Sequence, residues 1–63
     1  MMNYRIWGAV DAYNNYILVE VFNECDVSNI QKSFIEKGYI VIQTEYRVFG
    51  HAFIKFKKNE EAE

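Results

Sequence analysis

Of 63 residues, one segment alone, CDVSNIQKSFIEKGY (residues 25–39), spaces its apolar side chains as a helix does. Val27, Ile30 and Phe34 recur on one stripe, and Ile35 widens it. The flanking stretches alternate with the period of extended chain. This constrains the fold more than any other feature, because one helix can roof one face of a sheet and must leave the other bare. Asp26 is a suitable N-cap, and Cys25 with Ile30 fits a hydrophobic staple. A cap at Ser28, with Gln31 reaching back, would start the helix two residues later. Lys32 and Glu36 form an i,i+4 pair on the outward side. Gly38 stands where a left-handed residue closes the helix.

Extended runs cover residues 3–12, 16–22, 39–47 and 51–58. An Asn14-Asn15 turn would set Tyr13 opposite Tyr16, Val10 opposite Val19 and Gly8 opposite Val21, with Trp7 opposite Phe22 on the far side. A three-residue loop, Val48-Phe49-Gly50, puts glycine where a bulged hairpin turn needs it. Arg47 then faces His51, Tyr46 faces Ala52, Thr44 faces Ile54 and Ile42 faces Phe56. On the far side Glu45 faces Phe53 and Gln43 faces Lys55. The expectation is an α+β fold, β-β-α-β-β, with a four-stranded, largely antiparallel sheet and one helix packed on one face. The right-handed βαβ crossover favours the spatial order first, second, fourth, third. The pattern alone leaves first, second, third, fourth open.

The remaining features mostly exclude. A single Cys25 cannot form an intramolecular disulfide, and one cysteine with one histidine cannot make a structural zinc site. No apolar run approaches the roughly 20 residues of a membrane span, and the start lacks the basic region and cleavage site of a signal peptide. A cytoplasmic location without membrane contact is expected. There is no proline, repeat or linker, so residues 1–58 read as one domain and 59–63 as an acidic, disordered tail. The carboxylates scatter over different elements, and no glycine-rich phosphate loop occurs. The reading is therefore of a non-enzyme with no catalytic residues, no cofactor and no metal. The formal charge of −2 is not the general profile of a nucleic-acid binder. A chain this short sits close to the limit of what packing alone can stabilise, so burial against a partner would help.

The helix-free face collects Arg5, Trp7, Tyr16, Leu18, Phe22, Val41, Gln43, Glu45, Arg47, His51, Phe53, Lys55 and Lys57. Monomers rarely expose such a patch without a use for it. Trp7, Leu18, Phe22, Arg47, His51, Phe53, Lys55 and Lys57 are the candidate docking residues. Three occupants fit: a second copy in a homodimer, a different protein, or single-stranded RNA or DNA stacking on the rings. His51 is of the side-chain type that titrates near neutrality, and Glu45 is its expected carboxylate neighbour. The first two occupants make the chain a regulator, adaptor or inhibitor, a profile shared with small phage and mobile-element proteins.

Residues 17–57 also resemble the first half of an RNA-recognition motif. DVSNIQKSFIEKGYI is similar to that family's first helix, and FGHAFIKF resembles its RNP1 octamer through Gly50, Ala52, Phe53, Ile54 and Phe56. The resemblance implies a split βαβ sheet with His51 and Phe53 at the two base-stacking positions. Phe49 stands where that motif carries a basic residue, Leu18 where the second strand carries a ring, and the family's second helix and last strand have no counterpart.

Overall fold

The computed structural model describes residues 4–11 and 16–59. Strands β1 (Tyr4–Asp11), β2 (Tyr16–Val21), β3 (Tyr39–Tyr46) and β4 (Ala52–Lys58) form one sheet, and helix α1 (Val27–Glu36) lies between β2 and β3 in the chain. The spatial order is β1-β2-β4-β3, with every neighbouring pair antiparallel. This is the α+β arrangement expected, and the order that the alternation left open is settled. The central strands β2 and β4 run in unbroken register from Tyr16↔Lys57 to Val21↔Ala52.

One side of the sheet meets the helix. Val27, Ile30 and Phe34 pack on Val19, Val21, Ala52, Ile54 and Phe56, with Ile17, Tyr39 and Val41 around them. Phe34 stacks on Phe56 at 4.5 Å between ring centroids. Tyr39 and Tyr4 meet Phe34 edge-on at 5.8 and 6.0 Å. No polar or charged side chain is buried among the described residues. Gln31 Nε2 donates to Thr44 Oγ1 at 2.8 Å and ties the helix to the outer strand. Gly38 takes φ +96° after the helix, as its position predicts. Asn59, read with the tail from sequence, donates its backbone N–H to Gly38 O at 2.8 Å.

Several expectations are corrected. The first hairpin pairs Tyr4↔Val21 and Ile6↔Val19, not Gly8↔Val21 and Val10↔Val19. The expected register spent a core position on a glycine; the observed one puts Tyr4 against Phe34 instead. Register shifts follow between Ile6 and Gly8 and between Ala9 and Asp11, with Gly8 at φ +90°. The Asn14-Asn15 turn lies outside the described residues. The second hairpin follows the expected pairing from Tyr46↔Ala52 to Gln43↔Lys55. A bulge then sets Val41, not Ile42, opposite Phe56. Val41 therefore joins the core and leaves the bare face, while Ile40 and Ile42 are exposed.

The helix entry also differs. A 3-10 turn, Glu24–Asp26, precedes α1, and Asn23 caps it by accepting from the Cys25 N–H at 2.9 Å. Asp26 makes no side-chain cap bond. This turn carries Cys25 outward, so the thiol is exposed instead of stapled. Ile35 lies outside the buried stripe, which is Val27, Ile30 and Phe34.

Candidate interaction face

The pairings align the helix-free face into cross-strand rows. In the order β1, β2, β4, β3, the first row is Arg5–Glu20–Phe53–Glu45. The second is Gly8–Leu18–Lys55–Gln43, and the third is Asp11–Tyr16–Lys57–Ile40. Period-two alternation puts these positions on one side, and the unbroken β2–β4 register keeps the middle of each row in step. Leu18, Gln43, Glu45, Phe53 and Lys55 line a shallow depression of about 130 Å³ at its centre.

Rings on this face carry cations. The Arg47 guanidinium lies 5.4 Å from the Phe53 centroid, and Arg5 lies 5.1 Å from the Trp7 centroid. Lys55 and Lys57 approach Tyr16 at 5.1 and 5.9 Å. Such contacts are worth roughly 0.5–1 kcal/mol at exposed sites and more once desolvated, so covering this face would strengthen them. Of the described side chains on this face, four are cations (Arg5, Arg47, Lys55, Lys57) and two are carboxylates (Glu20, Glu45).

Glu20 is a hub. Its Oε1 accepts from Trp7 Nε1 at 3.1 Å, and its Oε2 lies 3.7 Å from His51 Nδ1. His51 in turn meets Phe22 edge-on at 5.7 Å. Trp7 and Phe22 are thus joined through Glu20 and His51 and do not face each other, because the first hairpin has the other register. The carboxylate beside His51 is Glu20 and not Glu45, which pairs with Arg47 at 3.1 Å.

The sheet therefore brings Leu18, Phe53, Lys55, Lys57 and Arg47 together at its centre and one edge, and Trp7, His51 and Phe22 along an adjoining chain. Trp7 is 55% exposed and Phe22 40%. Two participants were passed over in the choice of candidates: Tyr16, which seats two lysines, and Glu20, which organises Trp7 and His51. The alternation of Tyr16, Leu18 and Glu20 already placed both beside the central residues. Among the described residues no three His, Cys, Asp or Glu side chains converge as a metal site, and no helix is long and apolar enough to cross a membrane.

Compared with known proteins, the chain matches no family model, no curated protein and no solved structure.

Proposed function

We propose that this chain is a non-enzymatic interaction protein, of regulator, adaptor or inhibitor type, whose helix-free sheet face docks on another protein surface, a second copy included. One observation carries the reading. The face centres on Leu18 and Phe53, with Gln43, Glu45 and Lys55 beside them and aromatic side chains that hold cations around them, and no described element of the chain covers it. Interfaces combine an aromatic and apolar centre with a charged rim in this way.

A second reading has its own support. Lysines and an arginine beside Tyr16 and Phe53 suit a single-stranded nucleic acid, with bases on the rings and phosphates on the cations. The resemblance to the RNA-recognition motif, through His51 and Phe53, belongs with it. Against it stands the first row: Phe53 is flanked by Glu20 on one strand and Glu45 on the other. A base stacked on Phe53 would bring its phosphates toward both carboxylates. The protein reading is preferred on that ground.

Titration with short oligonucleotides at low and moderate salt, followed through Trp7 emission, separates the two. The protein reading expects no saturable response. Micromolar binding that weakens steeply with salt and is lost in Phe53→Ala would replace it with the nucleic-acid reading.

A further inference from the structure

We infer that the helix-free face is self-complementary, and that two copies pair face to face about a two-fold axis running parallel to the strands between β2 and β4. The inference rests on the reading of this face as a protein-docking surface and adds the occupant and its register. The sheet order β1-β2-β4-β3 places two strands on each side of that axis. Rotation about it lays each cross-strand row over its own reversed copy.

The consequences follow from the pairings. In the first row Arg5 of one copy comes over Glu45 of the other, twice per dimer. Glu20 comes over the Phe53 ring between that copy's own Glu20 and Glu45, a crowding of carboxylates that only the Arg47 guanidinium, 5.4 Å from the ring and already paired with Glu45, is there to offset. In the second row Leu18 covers the Lys55 stem, and the side-chain-free Gly8 leaves room for Gln43. In the third row Tyr16 comes over Lys57, a cation its own ring already attracts within the copy. No like charges are set directly opposite one another in these rows; Glu20 meets its own copy, and Lys55 its own, only on the diagonal across the axis. Turning the axis to run along the rows instead would superpose Lys55 on Lys55, so charge selects the first arrangement. Stacked sheets lie about 10 Å apart and cross at about 30°, offsets that long Arg, Lys and Glu side chains span.

The area is at the small end. Four strands at about 4.8 Å, each of about seven residues at roughly 3.3 Å, make a face of roughly 19 by 23 Å. With the relief of its side chains, this approaches the roughly 600 Å² per partner at the lower end of specific interfaces. Use of the whole face, and not a corner of it, is required.

The test is a charge exchange on the full chain. Sedimentation velocity across the micromolar range should show a dimer for the unmodified protein. Arg5→Glu or Glu45→Arg alone should raise the dissociation constant about tenfold, since each change acts twice in a symmetric pair, and the double exchange should bring it back. Circular dichroism checks that each variant folds. An independent measurement uses a Cys25→Ser background carrying Arg5→Cys and Glu45→Cys, which a short bis-maleimide able to span the roughly 10 Å between stacked sheets should join into a cross-linked dimer. A monomer at high micromolar concentration overturns the inference. A dimer indifferent to both charge reversals, without cross-linking, overturns it too. In that case Leu18→Glu tells the two levels apart: loss of the dimer keeps the face as the docking surface and rejects only this register, whereas an unchanged dimer rejects the face as well. Salt-sensitive oligonucleotide binding in place of self-association would overturn both.

Discussion

Phe49 adopts φ +60°, ψ 27° at the tip of the second hairpin, with 95% of its surface exposed. A bulky L-residue in the left-handed region costs about 1 kcal/mol, and here little burial offsets it. Asparagine tolerates that region better. Phe49→Asn should therefore stabilise the fold by about 0.5–1 kcal/mol, read as a higher urea midpoint with unchanged slope. Gly8 makes the opposite case. Its φ is +90° and an added Cβ would meet nothing within 4 Å, so Gly8→Ala is penalised by its backbone alone. A loss of about 1 kcal/mol is expected, and a loss several times larger would point to a steric clash instead. The three-residue loop ending in Gly50 was legible in the sequence because a turn that short demands a left-handed residue at its close. That Phe49 would join it there was not, since no aromatic advertises a positive φ.

Among the elements, the helix shows how a cap can be misread. Asp26 has the better sequence position, directly before the apolar stripe. The chain instead makes a tight turn at Glu24–Asp26, which moves the capping duty to Asn23. Asn23→Ala should cost about 1 kcal/mol and Asp26→Ala distinctly less, a ranking that thermal or urea melts of the two variants would establish. The strand β3 was legible only in part. From Gln43 to Tyr46 the strongly polar Gln43 and Glu45 alternate with Thr44 and Tyr46, which is enough to fix the side each faces. Tyr39-Ile40-Val41-Ile42 is apolar throughout, so either side could claim either set, and a single extra residue settles the matter in favour of Tyr39 and Val41. The first hairpin failed for a related reason: pairing across a proposed turn assumes regular strands, and β1 carries two irregularities. Strand order survived both errors, because it depends on connection handedness and not on register.

At the scale of the whole molecule, the core among the described residues consists of eight buried side chains, Val19, Val21, Val27, Ile30, Phe34, Ala52, Ile54 and Phe56. Truncating Ile54 at its centre should cost about 2–5 kcal/mol, comparable to the entire margin of so small a domain. Ile54→Ala is accordingly expected to be largely unfolded when dilute, with loss of the far-ultraviolet strand signal. Self-association through the open face would add stability by mass action. The apparent melting temperature of the unmodified chain should then rise with protein concentration, and that of Leu18→Glu should not. The bare side of the sheet was legible from a count of one helix against four strands, and most of its central residues with it. The links Trp7–Glu20–His51–Phe22 were not, because they depend on the register of β1. The two outer strands, β1 and β3, share one further property: each breaks step with its neighbour, whereas the inner pair does not. A foreign strand laid along either rim would find its ladder of amides interrupted. Edge-to-edge addition of crowded copies into endless ribbons is thereby disfavoured.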